Sequence, residues 1–356
     1  MTMVEVNGAR LNYLQTGPEH GDEVEDLVMV HGLATNMAFW YFQYAPHFSR
    51  RFRVTLYDMR GHGRSQMTPS GYRPQDLGSD LAGLLDHLGI ERAHFIAHSF
   101  GGVAVLNMAS LAPERVSSLV LADTHISAAR HGAGAHRWGH GRHIQALIDA
   151  HGLKLDTRMP YFGYRLLTEM SHLQMRGETV PAELLELVAP LMGQFGKRTA
   201  AHWLKLMDST QAEHQLLGDD GLSLEGLRAL TFPILAMYGD HSQARLTGAE
   251  LLEVWAHAAF VRVRDAGHFF PTTRCAEVVQ ACEKFWAGDF ATRPRHRAGD
   301  VKKAHFRSDR VFKQSDGQWY GMTREKDLLG PFAAPEEAGD HLARYLDGLA
   351  VVEPGA

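Results

Sequence analysis

Four short apolar runs, EDLVMVHG, FRVTLYDMRG, AHFIAHS and VSSLVLADT, recur within the first 124 residues. Each has the length and β-branched content of a strand buried on both faces, as in a parallel sheet. Ahead of them, MTMVEVNGARLNYLQTG alternates apolar and polar positions on either side of Asn7-Gly8, which predicts a hairpin. Between the later runs the period changes: Leu77, Leu81, Leu84, Leu85 and Leu88 fall on one face of a helix over 76–88. This alternation predicts an α/β fold with a mostly parallel sheet flanked by helices. From about residue 125 to 228 the strand signal lapses into helical pattern. It returns with FPILAMYGD and AAFVRVRDAGHF, followed by the amphipathic helix CAEVVQACEKFW. The simplest topology is one core, residues 1–124 and 229–287, interrupted by a helical cap at 125–228. The polar stretch 288–303 then reads as a linker. Residues 304–350 read as a small α+β module, with a hairpin around Asp316-Gly317, a turn at GPF and a helix starting near Ala334-Pro335.

Composition narrows the class. The chain has 356 residues, 45% of them hydrophobic, enough to bury a sizeable core. Its formal charge of −5 and scattered Lys and Arg give no reason to expect nucleic acid. No run of 18 apolar residues occurs and the N-terminus has no apolar leader pattern, so neither a membrane span nor a signal segment is expected. The only cysteines are Cys275 and Cys282, which fits a reducing compartment and a cytoplasmic location.

One stretch carries chemistry. AHFIAHSFGGVAVLNMA, residues 93–109, runs a strand pattern directly into a helix with Ser99 at the join. Around it, Ala97-His98-Ser99-Phe100-Gly101 is a small-x-Ser-x-small variant of the Gly-x-Ser-x-Gly elbow. A large side chain two residues away on either side would clash with so tight a turn, and the turn itself lifts the hydroxyl clear. It also leaves the Phe100 N–H facing the site. His31-Gly32 ends an early strand, where a second oxyanion donor is needed, and Leu33 N–H is the natural one; such donors commonly supply roughly 3 kcal/mol each. Asp240 in YGDHS and His268 in DAGHFF follow the two late strands. The chain order Ser99, Asp240, His268 supplies nucleophile, orienting carboxylate and base.

With these residues in place, the chain over about residues 3–287 resembles the α/β-hydrolase superfamily, its serine esterase-like branch. YDMRGHGRS, Tyr57 to Ser65, looks like the Asp-x-Arg-Gly-x-Gly-x-Ser turn of that branch. A serine at the elbow counts against the epoxide hydrolases and haloalkane dehalogenases, which carry Asp there. The resemblance implies a hydrolase for a small ester-like substrate, working through an acyl-enzyme without cofactor or metal. It leaves open a thioesterase, lactonase or acyltransferase with the same triad, or a non-catalytic ligand-binding homologue. It also leaves open the acid, because some branches place it after the strand following the elbow, where this chain has Asp123.

The remaining histidines have plainer readings. His31 and His98 are substrate-pocket candidates, His31 chiefly as a shaper of the oxyanion loop, and His62 closes the RGHGRS turn. His125, His131, His136, His140, His143 and His151 crowd one Gly-rich stretch that lacks the cysteine or carboxylate partners of a preformed metal site. Met159, Met170, Met175, Met192 and Met207, with Phe162, Phe195 and Trp203, read as cap core that could also line an apolar pocket. Trp319, Tyr320, Phe312 and Phe332 give the C-terminal module apolar surface with which to dock on the body or on a protein partner.

Overall fold

Each of the apolar runs becomes a strand of one sheet. The computed structural model describes residues 2–19, 24–129, 138–159, 161–178, 181–255, 257–290, 311–313, 318–322, 328–348 and 350–351. The strands are β1 (Thr2–Val6), β2 (Ala9–Thr16), β3 (Asp26–Val30), β4 (Arg53–Tyr57), β5 (Ala93–His98), β6 (Val116–Ala122), β7 (Ile234–Gly239) and β8 (Ala259–Val263). The C-terminal part adds β9 (Val311–Lys313), β10 (Trp319–Met322), β11 (Leu328–Phe332) and β12 (Ala350–Val351). The large sheet has the order β1-β2-β4-β3-β5-β6-β7-β8-β12. From β4 to β12 every pairing is parallel; β2 alone runs against the rest, pairing antiparallel with β1 on one side and β4 on the other. Asn7 and Gly8, both at positive φ, make the two-residue turn that joins them with Val6 opposite Ala9.

Period-two alternation splits the core between the two faces of the sheet. Val28, Val30, Phe95, Ala97, Leu119 and Leu121 pack on one face. Their chain neighbours Leu27, Met29, Ile96, Val120 and Ala122 pack on the other. That explains why β3 and β4 are buried at every position and read as unbroken apolar runs. The helix expected over 76–88 spans Pro74–His87. It starts earlier because Pro74 suits the first helical position, and the Asp76 carboxylate takes the Arg73 N–H at 3.1 Å.

Between β6 and β7 lie the helices Gly139–Ala150, Phe162–Arg176, Ala182–Leu187, Gly196–Ser209, Ala212–Leu216 and Leu224–Arg228. Ile144, Ile148, Leu166, Met170 and Trp203 from these helices belong to the same cluster as one face of the sheet. The insertion therefore shares its core with the sheet. Met170 and Met207 are buried within it, whereas Met175, Met192 and Phe195 are exposed.

Trp319 pairs with Lys313, so β9 and β10 form the two arms of the hairpin expected around Asp316-Gly317, residues that lie outside those described. The GPF segment is not a turn: it ends β11, with Phe332 opposite Trp319. Burial of Phe332 with Leu329, Ala338 and Leu342 draws the segment into the small sheet. The helix Pro335–Gly348 follows, and β12 then lies parallel to β8 with Ala350 opposite Val261. Most of the expected linker, from 291 onward, lies outside the described residues. Among the described residues no helix is long and apolar enough to cross a membrane.

Candidate active site

At the end of β5 the chain turns so sharply into the helix Phe100–Leu111 that Ser99 takes φ 54° and ψ −125°. Non-glycine residues rarely adopt this geometry, and it persists here because the surroundings fix it. The Ser99 N–H donates to Ala122 O at 2.9 Å, tying the elbow to β6. A Cβ at position 101 would lie 2.5 Å from His31 O, and one at position 102 would lie 2.1 Å from Thr124 Oγ1. Both glycines are thus required for the helix to enter this close to β3 and to the strand end beyond β6.

Ser99 Oγ and His268 Nε2 are 2.9 Å apart. On the other side of the ring, His268 Nδ1 stands 2.6 Å from Asp123 Oδ2. Asp123 is fully buried at the end of β6, and its Oδ1 accepts the Gly239 N–H at 2.9 Å. The carboxylate that meets His268 Nδ1, expected from Asp240, is that of Asp123. Asp240 instead gives both oxygens to Arg262, through Nε and through Nη2 at 2.9 Å. The cause is the register of β7 and β8: Tyr238 lies opposite Arg262, so the guanidinium stands beside the first carboxylate past the end of β7. An ion pair buried on both sides holds that carboxylate away from other work; the side chains are only 8% and 10% exposed.

The Leu33 and Phe100 N–H groups, expected as oxyanion donors, find no acceptor among the described residues. Both residues are buried, and Leu33 lines the cavity in front of Ser99. His31 is not a pocket residue, contrary to one sequence expectation. Its Nε2 accepts the Met59 N–H at 3.0 Å, so Nδ1 carries the proton and donates to Gly32 O at 2.7 Å. Held from both sides, it shapes the loop that presents Leu33. His98 does line the cavity: its Nε2 donates to His268 O at 2.9 Å, and its ring stacks on Phe39 with 4.7 Å between centroids. His62 closes the RGHGRS turn as expected, its Nδ1 donating to Arg60 O at 3.0 Å.

The cavity holds about 140 Å³ and is walled by the insertion as well as the core. Trp138, Phe162, Leu166, Leu167, Leu187 and Val188 make its apolar side; Ser242, Gln243 and His241 bring polar groups from the turn after β7. The methionines of the insertion do not line it. His140 stacks on His241 at 4.6 Å, while His131 and His136 lie outside the described residues. Among the described residues no group of three His, Cys, Asp or Glu side chains is arranged to hold a metal. Sequence reasoning missed the wall residues His241, Ser242 and Gln243. Their only signal was adjacency to Asp240.

Burial keeps His31, His62 and His98 uncharged: all three ionise below the usual imidazole range, His62 at about 3. Above pH 6.5 neither the native nor the unfolded His62 binds a proton. Below it the unfolded chain takes one up and the native state does not until about pH 3, so stability falls across that window. For His62 alone the loss over that window is on the order of 5 kcal/mol. The urea midpoint should therefore drop steeply between pH 6.5 and 4, and His62→Gln should flatten the slope. Equal slopes in the two proteins would refute this.

Residues 27–273 match the model of a family described as alpha/beta hydrolase fold. Residues 296–351 match a domain of unknown function, DUF6316. Over 117 residues the chain is 39% identical to the dihydrolipoyllysine-residue acetyltransferase component of the acetoin cleaving system of Pseudomonas putida, covering 33% of this chain and 30% of that protein. It is 39% identical over 98 residues to 3-oxoadipate enol-lactonase 2 of Acinetobacter baylyi, covering 28% of this chain and 36% of the relative. The match thus spans about a third of the length of these curated relatives. Among solved structures, the enol-lactonase of Burkholderia xenovorans LB400 superposes with a TM-score of 0.52 at 25% identity, over 80% of this chain and all of that one.

Proposed function

This chain belongs to the alpha/beta-hydrolase fold family, and we propose that it is a serine hydrolase of carboxylesterase type, cleaving an ester-like acyl bond through an acyl-enzyme. The observation that carries the reading is the continuous relay Ser99 Oγ, His268 Nε2, His268 Nδ1, Asp123 Oδ2, with contacts of 2.9 and 2.6 Å. His268 takes the Ser99 proton as the oxygen attacks the substrate carbonyl, and Asp123 holds the ring and stabilises its cationic form. The developing oxyanion faces the N–H groups of Leu33 and Phe100. As the tetrahedral intermediate collapses, His268 returns the proton to the leaving alcohol. Water then adds to the acyl-enzyme with His268 again as base, freeing the acid and regenerating Ser99. Every step uses groups of this chain and water, so the chemistry requires neither metal nor organic cofactor.

The cavity argues for a small acyl group. About 140 Å³ is small beside the roughly 300–1,000 Å³ of pockets that take drug-sized ligands. A lactone is the second reading, favoured by the relatives named enol-lactonase. The helical insertion acts as the cap over this cavity, and the C-terminal module as an accessory piece docked on the body; a cytoplasmic setting fits both. A fluorophosphonate probe should label Ser99, and p-nitrophenyl acetate and butyrate should be hydrolysed faster than octanoate. No label, together with no turnover of esters, lactones or acyl thioesters, would leave a ligand-binding homologue as the better account.

A further inference from the structure

The turn after β7 does not supply the acid, yet it reaches the acid through another residue. Ser242 Oγ bonds to Asp123 Oδ2, the same oxygen that faces His268 Nδ1. The direction of that bond is fixed. The Ala244 N–H donates to Ser242 Oγ at 3.1 Å and occupies a lone pair, while an ionised carboxylate can only accept. Ser242 therefore donates to Asp123. The serine is buried at 4% exposure and its partner at 0%, so water does not compete for either group. With the Gly239 N–H on Oδ1, one turn supplies donors to both oxygens of the carboxylate.

We infer that Ser242 is a positioning and tuning residue for the His268–Asp123 pair, a role that rests on the serine-hydrolase reading above. Two donors on one oxygen share its negative charge. Each weakens the other's claim, so the Ser242 hydroxyl lowers the pull of Asp123 on the imidazolium. The titratable and charged groups around the pair are His98, whose ring centroid lies 4.8 Å from that of His268, buried Tyr238, which feels the charge of Asp123, His125 and His241 on the wall of the same cavity, and the Asp240–Arg262 pair beyond the turn. Removing the hydroxyl leaves His268 with an undivided carboxylate, so the charged imidazole becomes easier to form and the base is lost at a higher pH.

The test is the pH dependence of kcat/KM for full-length Ser242→Ala against wild type. The acid limb should move up by about half a unit to one unit, with kcat at its plateau lowered by about tenfold and KM little changed. Ser242→Thr, which keeps donor and acceptor, should return the limb to its wild-type position. A parallel proton NMR measurement should find the downfield Nδ1–H resonance of His268 displaced in Ser242→Ala and restored in Ser242→Thr. An unmoved limb and an unmoved resonance in a folded Ser242→Ala protein would overturn the proposal, leaving the serine a turn former. If Ser99→Ala remained fully active, the parent reading would fail instead, so the two failures are distinguishable.

Discussion

Ser99→Ala should lower kcat by several orders of magnitude, on the order of the 10⁶-fold typical of nucleophiles that act as one unit with their base. The protein should stay folded, because the substitution removes one oxygen from a half-buried side chain whose backbone already holds the strained elbow. The elbow depends on Gly101, Gly102 and the Ser99 N–H bond to β6, none of which alanine disturbs. Circular dichroism and thermal melting close to wild type, with turnover lost, are the expected pair of results. Turnover near wild type would remove the nucleophile from the mechanism and with it the acyl-enzyme.

The second large effect falls on the acid. Asp123→Asn should cost roughly 10⁴-fold in kcat, because an amide at Oδ2 can donate to Nδ1 and so favours the tautomer that cannot accept the serine proton. Asp240→Asn should leave kcat within about tenfold and lower stability instead. It deprives a buried guanidinium of its carboxylate, at a cost of roughly 2 kcal/mol. Measuring kcat and urea midpoint for both variants separates the roles: one loses rate, the other stability. If Asp240→Asn proves the slower enzyme and Asp123→Asn the sound one, the pairing at His268 has been misassigned.

That ranking reverses what the chain alone suggested, and the reason is instructive. The strands, the elbow and His268 are written in local pattern: apolar runs of fixed length, small residues at ±2 from a serine, a histidine past the penultimate run. The choice between Asp240 and Asp123 is not local. It turns on Arg262, a cation inside the apolar run of β8 that register brings beside Asp240. A buried run interrupted by arginine was the available hint that a carboxylate nearby would be consumed in pairing. His31 shows the same limit. Its place after β3 was legible, but not the Met59 N–H that occupies its Nε2 and removes it from the pocket. The GPF segment carries turn chemistry, and burial of Phe332 overrides that preference.

The parallel strand β12 along β8 sets where this molecule can meet others. The last strand of an open sheet offers unpaired N–H and C=O groups, a template on which a foreign strand can grow. Here the chain's own downstream segment takes part of that margin, facing Val261 and Arg262. A protein cut after Asp289 would return those groups of β8 to solvent while leaving Ser99, Asp123 and His268 untouched. Its first change would be a tendency to stick to its own copies at this margin, with total activity falling only as soluble protein was lost.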